Sequence, residues 1–154
     1  MQDFFKPYQV LFDEHFKNFK INKSPNNLYD PIRYLMEIKG KRIRPILTLL
    51  SADVFGSNPI DALDSALSVE IFHNFTLVHD DIMDEAALRR GVVTVHKKWD
   101  INTAILSGDA ILALALIHLN KINKNKDLII EKFNDALIKV CEGQALDLAF
   151  QDSS

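Results

Sequence analysis

The sequence lacks most of the features that mark secreted or nucleic-acid-binding proteins. Its 154 residues include a single cysteine, Cys141, so no internal disulfide can form, and a reducing compartment, the cytoplasm, is expected. Positive charge is not in excess, since the net charge is −3 at pH 7 and the isoelectric point is near 5.9, which argues against a nucleic-acid surface. Residues 1–6 lack the basic and apolar zones of a signal peptide.

One long apolar run is present, at residues 101–119. It is long enough to raise the question of a membrane span. Gly108 and Asp109 lie in its middle, however, and a charge at the centre of a bilayer is costly. We therefore expect no membrane span, and we interpret the run as a buried helix, either in the core or at a subunit interface.

Apolar residues recur at helical spacing along the chain, which predicts an all-α protein. The chain is 47% hydrophobic and 25% charged, shows no repeats, and is long enough at 154 residues for one domain with a core. We therefore expect a single all-helical domain over residues 1–154. The predicted helices cover residues 4–20, 28–38, 45–55, 60–86, 101–119 and 127–150.

Residues 79–91 hold the most informative pattern, three aspartates followed by two adjacent arginines. On a helix, Asp80 and Asp84 lie one turn apart on the same face. Two carboxylates held that close repel unless a cation lies between them. Mg²⁺ is usually held by one or two carboxylates together with substrate phosphates, and Arg89 and Arg90 could grip those phosphates. The pattern thus predicts a Mg²⁺ site, and the alternative is a solvated helix end.

The polar face continues towards the start of the same helix. Thr76 and His73 precede Asp80 by one and two helical turns, so the three side chains form one stripe. An apolar flank recurs at helical spacing beside it, at Ile60, Leu63, Leu67, Ile71, Phe75 and Val78. The helix therefore has one apolar side and one polar side, and the polar side holds the candidate site residues.

A basic cluster lies just before another predicted helix. Residues 39–45 read KGKRIRP, and because proline favours the first helical position, we expect this helix to begin at Pro45. Cations at the positive end of a helix dipole are mildly unfavourable, whereas the backbone N–H groups there favour phosphate. A doubly charged anion such as a diphosphate would resolve the conflict. The alternative is a solvated basic turn.

Taken in order, these motifs resemble those of the trans-isoprenyl diphosphate synthases, also called the polyprenyl synthetase family. The matching strings are GKRIRP, HNFTLVHDDIMD, RRG, AILSGDAIL and GQALDL, and the resemblance runs from about residue 28 to about residue 150. It implies an isoprenoid-synthase-like helical bundle around a central cavity, and a homodimer. The implied reaction joins isopentenyl diphosphate to an allylic diphosphate and uses Mg²⁺.

The resemblance assigns roles residue by residue. Asp80 and Asp84 match the carboxylates that hold Mg²⁺ on the allylic diphosphate, Asp81 supports them, and Arg89 matches a position that binds the same diphosphate. The positions that match isopentenyl diphosphate ligands are Lys41, Arg44, His73 and Arg90. Gln144 and Asp147 share one face of the last helix and are expected near the metal, acting indirectly or through water. For this last pair the alternative is an ordinary polar helix face.

Product length is assigned in the same way. Phe75 and Thr76, the fifth and fourth residues before Asp80, match the floor of the family's product cavity. A ring at the fifth position should stop growth early, and a small residue at the fourth leaves more depth than two rings would. The expected product is geranylgeranyl diphosphate, with farnesyl diphosphate as the second candidate.

The chain also departs from the family pattern. The family often has a proline two places after RRG, where this chain has Val93, which concerns only the shape of the local loop. Members usually run to about twice this length and carry a second aspartate-rich motif, and no second DDxxD occurs here. The chain therefore matches the N-terminal part of the fold, which leaves the activity of this part alone open.

Two function classes are weighed. The first is a prenyltransferase that makes a short all-trans polyprenyl diphosphate. The second is a non-catalytic diphosphate-binding or regulatory subunit. The first is favoured because a subunit kept only for packing has no need of Lys41, Arg44, Asp80, Asp84, Arg89 and Arg90 together. Terpene cyclases also use DDxxD, but the GKRIRP cluster indicates a second diphosphate site.

Overall fold

The computed structural model describes residues 2–151, with side chains for residues 4–150, and it confirms the predicted all-α class. The described helices are α1 (Gln2–Asn18), α2 (Asn26–Glu37), α3 (Ile43–Val54), α4 (Leu63–Met83), α5 (Val95–Lys98), α6 (Ile101–Leu119) and α7 (Lys126–Gln151). A short hairpin of β1 (Leu88–Arg89) and β2 (Val92–Val93) lies between α4 and α5. One compact unit ends at Lys121 and holds α1 to α6, and the other begins at Ile122 and holds α7.

Two predicted helix starts are wrong by a few residues. The helix expected at residues 60–86 is divided into a 3₁₀ turn, Pro59–Ala62, and α4. The Asn58 side chain accepts a hydrogen bond from the Ile60 backbone N–H at 3.0 Å, which favours this tight turn. The helix expected to begin at Pro45 begins two residues earlier, at Ile43, directly after Arg42, whose backbone is left-handed (φ 50°).

The centre of the first unit is the packing of α4 against α6. The residues that α4 buries include Ala66, Leu67, Ile71 and Val78, and those of α6 include Ala104, Ile111 and Ala115. The Ser68 hydroxyl donates to the Ala115 carbonyl at 2.9 Å, so this buried polar group is satisfied. Small residues at the contact bring the two backbones close, and α2 and α3 then cover α6 and α4.

Helix α6 agrees with the predicted range of residues 101–119. Asp100 caps it by accepting a hydrogen bond from the Thr103 backbone N–H at 2.9 Å. Within residues 2–151, α6 is the one helix long and apolar enough to cross a membrane by length and composition. One face is buried in the core as expected, while Ile105, Leu106 and Ile117 are exposed on the other.

The hairpin was not predicted, because strands of two residues carry no alternating pattern. Leu88 pairs with Val93 and Arg89 with Val92. The two residues of the turn, Arg90 and Gly91, have φ values of 54° and 78°, as a type I′ turn requires. The direction of the Arg90 side chain is therefore set by the left-handed backbone of the turn.

We expect Ile71→Ala to destabilise the fold by about 2–5 kcal/mol, since Ile71 is fully buried and its removal leaves a cavity between α4 and α6. Val54→Ala, at a residue that is 70% exposed, is the matched control and should change the free energy of unfolding by less than about 0.5 kcal/mol. Urea unfolding followed by circular dichroism gives both values. Equal losses would show that α4 does not form the core.

Candidate functional site

A basic cavity of about 470 Å³ lies where the α2–α3 connection meets α4 and the hairpin. Its lining residues are Lys39, Gly40, Lys41, Arg42, Ile43, Arg44, Glu70, His73 and Arg90. The four residues predicted to bind isopentenyl diphosphate, Lys41, Arg44, His73 and Arg90, thus line one cavity although they come from three segments of the chain. Its size and its cations suit a diphosphate.

Arg42 does not serve as a free cation of this cavity. Its guanidinium forms an ion pair with Glu70, in which the side chains are only 10% and 4% exposed. The same group lies 4.4 Å from the centre of the Phe16 ring, and its Nη2 donates to the Met36 carbonyl at 3.4 Å. Because losing one partner of a buried ion pair costs about 3–5 kcal/mol, this contact fixes the loop that carries Lys41.

Sequence reasoning missed Glu70 and treated Arg42 only as one of the basic residues of the 39–45 cluster, with no partner of its own. A usable signal existed, because Glu70 lies between Val69 and Ile71 on the apolar part of α4. A charged group is buried only when it is paired. The sequence could therefore have predicted a partner for Glu70 but not which of the nearby cations it would be.

His73 and Arg44 form the contact between α4 and α3 in this cavity. Nη1 of Arg44 lies 3.1 Å from Nε2 of His73. A guanidinium can only donate, so Nε2 accepts and the neutral ring carries its proton on Nδ1. Burial, together with the charges of Arg44, Arg90, Arg89 and Arg42, lowers the pKa of His73 from 6.5 to about 4. At neutral pH His73 is therefore an uncharged member of a cationic site.

Arg90 reaches the cavity across Gly40. A Cβ atom added at Gly40 would meet the Arg90 guanidinium and force it to shift, so the glycine permits this close approach. Arg90 itself has a φ of 54°, which costs energy for a residue other than glycine. The hairpin turn and the basic loop are thus in contact through the Arg90 side chain, which packs against Gly40.

The three aspartates occupy the last turn of α4 and the residue that caps it. The Asp84 backbone N–H donates to the Asp80 carbonyl at 2.8 Å, which places these two residues one turn apart as predicted. Asp80 is half-buried and Asp84 is exposed. Burial, with Asp84 and Asp81 nearby, raises the pKa of Asp80 against the opposing charge of Arg89. Ionisation of Asp80 is therefore disfavoured mainly by burial, and a cation beside it would favour the carboxylate.

Asp81 points away from this pair into the protein. It is 3% exposed, and it accepts a hydrogen bond from Nε of Arg89 at 2.6 Å. Burial raises the pKa of Asp81, and the bond and charge of Arg89 oppose this shift. Asp81 thus orients Arg89, and its carboxylate is engaged by that arginine. No group of three or more metal-ligating side chains occurs in the described part of the chain.

Phe75 and Thr76 lie on α4 between the basic cavity and the aspartates. The Phe75 ring stacks on Phe72, with centroids 5.8 Å apart, and meets His79 edge-to-face at 4.7 Å. The Thr76 hydroxyl donates to the His73 carbonyl at 2.9 Å. Gln144, half-buried, and Asp147, exposed, lie on α7 in the second unit, and their relation to the metal stays a prediction.

Comparisons with known proteins match this chain to one family. A family model described as polyprenyl synthetase matches residues 25–154. The chain is similar to a geranylgeranyl pyrophosphate synthase of Geoglobus acetivorans, with 38% identity over 99% of this chain and 49% of the relative. It is similar to a geranylgeranyl diphosphate synthase of Methanosarcina mazei, with 44% identity over 82% of this chain and 40% of the relative.

A solved structure gives the same result for the fold. The crystal structure of geranylgeranyl pyrophosphate synthetase from Pyrococcus horikoshii superposes with a TM-score of 0.89 and 37% identity, covering 96% of this chain and 46% of that one. The predicted isoprenoid-synthase-like fold is therefore confirmed. The chain spans about half the length of the curated relatives it matches.

We expect His73 to stay neutral well below pH 6.5. The unfolded chain takes up this proton near 6.5 and the folded chain only near 4, so the ring's contribution to stability is lost as the pH falls through this window. Titration of the ring signals by NMR should give a midpoint near 4. His73→Gln is the control for the stability profile, and a midpoint above 6 would contradict the burial of the ring among arginines.

Proposed function

The chain belongs to the polyprenyl synthetase family, and we propose that the protein condenses isopentenyl diphosphate with an allylic diphosphate. The observation that carries the proposal is the meeting of Lys41, Arg44, His73 and Arg90 in one cavity. Residues 1–154 would then be the N-terminal portion of one all-helical polyprenyl synthetase domain. The similar proteins named above are geranylgeranyl diphosphate synthases, which supports this substrate class.

In this proposal the basic cavity binds isopentenyl diphosphate. Lys41, Arg44 and Arg90 donate charge-assisted hydrogen bonds to phosphate oxygens, each worth about 1.5–3 kcal/mol. The neutral His73 adds one N–H donor without adding to the repulsion among the arginines. The Arg42–Glu70 ion pair keeps the loop in place and leaves the net positive charge to the other side chains.

The second diphosphate, on the allylic substrate, would bind at the end of α4. Asp80 and Asp84 fit a Mg²⁺ ion, because they offer hard oxygen donors and because the pKa of Asp80 is raised by burial and by its acidic neighbours. A set of two carboxylates also suits an ion that takes its other ligands from phosphate and water. When bound, Mg²⁺ supplies positive charge to the leaving diphosphate. Arg89, oriented by Asp81, adds a further cation.

The reaction follows from these charges. The allylic carbon–oxygen bond breaks, the electron pair leaves with the diphosphate, and an allylic carbocation remains. The positive groups preorganised around that diphosphate stabilise the charge as it develops. The double bond of isopentenyl diphosphate then forms the new carbon–carbon bond, and a proton is lost to the departed diphosphate. The product is an allylic diphosphate longer by one isoprene unit.

The proposed product is short, with geranylgeranyl diphosphate favoured over farnesyl diphosphate. Phe75 supplies a ring on α4, held by its contacts with Phe72 and His79. Thr76 beside it is small. A growing chain that meets a close-packed ring extends further only at an overpacking cost of about 1–3 kcal/mol or more.

The proposal also includes a homodimeric assembly and a cytoplasmic location. The exposed apolar face of α6, with Ile105, Leu106 and Ile117, supports a homodimer, because an apolar face of this kind is typical of a subunit interface. This use of α6 would account for its apolar length without a membrane. A cytoplasmic location stays a prediction that rests on the single cysteine, Cys141, which is exposed and free.

A second candidate is a non-catalytic diphosphate-binding or regulatory subunit. The basic cavity fits this role as well, because it can bind a diphosphate whether or not turnover follows. Such a subunit would bind isopentenyl diphosphate in the basic cavity but would form no product when it is combined with Mg²⁺ and both substrates. Calorimetric binding measured beside turnover in the full-length protein distinguishes the two candidates.

We expect Asp80→Asn and Asp84→Asn to lower product formation in the full-length enzyme by about 10²-fold or more, since each removes charge that would hold the metal at the leaving group. Asp127→Asn, at an exposed aspartate of α7, is the control and should keep the wild-type rate. Incorporation of labelled isopentenyl diphosphate across a Mg²⁺ titration is the measurement. Wild-type rates in both variants would exclude this metal site.

We expect Phe75→Ala to lengthen the product by at least one five-carbon unit, because the ring that blocks growth is removed. Phe55→Ala, at a residue that is 87% exposed, is the matched control. Chromatography of the dephosphorylated products gives the chain lengths. Products of unchanged length from Phe75→Ala would show that Phe75 does not form the floor.

A further inference from the structure

The His79 ring of α4 lies directly against Gly108 of α6. A Cβ atom added at Gly108 would lie 2.6 Å from Cε1 and 2.9 Å from Nε2 of His79, closer than a side-chain carbon can approach without something shifting. Gly108 is itself buried. The His79 ring therefore packs directly against the backbone of α6, and a methyl group at Gly108 would force the ring to shift.

The other side of the His79 ring meets Phe75. The two rings are 4.7 Å apart at an interplanar angle of 75°, an edge-to-face contact of the kind worth about 0.5–1.5 kcal/mol beyond area burial. Phe75 is stacked on Phe72 at an angle of 25°. The three rings form a row along α4, and this row ends at the backbone of α6.

We propose that His79, held in place by Gly108, is a positioning residue that sets product length by fixing the ring of Phe75. The inference rests on the proposed function and extends it to two residues that are outside the substrate-binding set. A growing isoprenoid chain that presses on Phe75 can pass only if the ring turns aside. His79 blocks that movement, because the α6 backbone prevents its own retreat.

His79 acts through the shape of its ring, and its ion contact with Asp109 is not required. Nε2 of His79 lies 3.8 Å from Oδ1 of Asp109, too far for a hydrogen bond, and the Asp109 side chain is 65% exposed. Such an exposed ion contact contributes little. Removal of the Asp109 charge should therefore leave product length unchanged, whereas removal of the ring should not.

Product length separates this role from an effect on the neighbouring Asp80. A disturbed Asp80 would lower the rate, since it acts on the leaving group, but would not move the floor of the cavity. A displaced Phe75 changes the length of the products that are made. The decisive readout is therefore the distribution of chain lengths, compared with the rate for each variant.

The test uses the full-length enzyme with Mg²⁺, isopentenyl diphosphate and an allylic diphosphate. His79→Ala should give products longer by at least one five-carbon unit. Gly108→Ala should change the product distribution, because its methyl group displaces the His79 ring. The double variant Gly108→Ala/His79→Ala should match His79→Ala alone, since the methyl group then has no ring to displace.

The controls are Gly143→Ala and Asp109→Asn. An added Cβ at Gly143 meets no atom within 4 Å, so this control should keep the wild-type product lengths. Asp109→Asn should keep them as well, because its contact with His79 is long and exposed. Wild-type lengths from His79→Ala, in an enzyme that Phe75→Ala does lengthen, would overturn the inference and leave the proposed function intact. Should His79→Ala be too slow to yield product, wild-type lengths from Gly108→Ala overturn it. If the unmutated enzyme makes no prenyl product, both proposals fail.

Discussion

The ion pair of Arg42 with Glu70 holds the basic loop to α4, and the geometry of the cavity depends on it. Both side chains are almost fully buried, so neither charge can be left alone without a large desolvation cost. Arg42 is also the left-handed residue that directly precedes α3. Through the ion pair, the loop that carries Lys41 is fixed against the helix that carries His73.

Successive turns of helix α4 hold different kinds of polar side chain. Glu70 and His73 face the basic cavity, and the aspartates follow at its end. The opposite side of the helix is packed on α6, where a buried serine and small residues bring the two backbones together. A rigid and well-packed helix therefore sets the spacing between the two proposed diphosphate sites.

Features that depend on spacing within one helix could be predicted from the sequence. The range of α6 and the one-turn separation of Asp80 and Asp84 are examples, because helical periodicity is local. The convergence of Arg90 with the basic loop came only from the family resemblance, since nothing local links residues so far apart. The pairing of Glu70 and the type I′ hairpin were missed. One is a tertiary contact, and the other lies in strands too short to show a pattern.

The fit of Arg90 against Gly40 has a consequence for how this protein can vary. Exposed hairpin turns usually tolerate insertions and deletions, and this turn is exposed. Here, however, a residue added to the turn would change the register that aims Arg90, and a side chain added at Gly40 would occupy the space of its guanidinium. A change in either loop therefore alters the position of the Arg90 guanidinium. An insertion in this exposed turn would therefore change the composition of the basic cavity, although it lies outside the core.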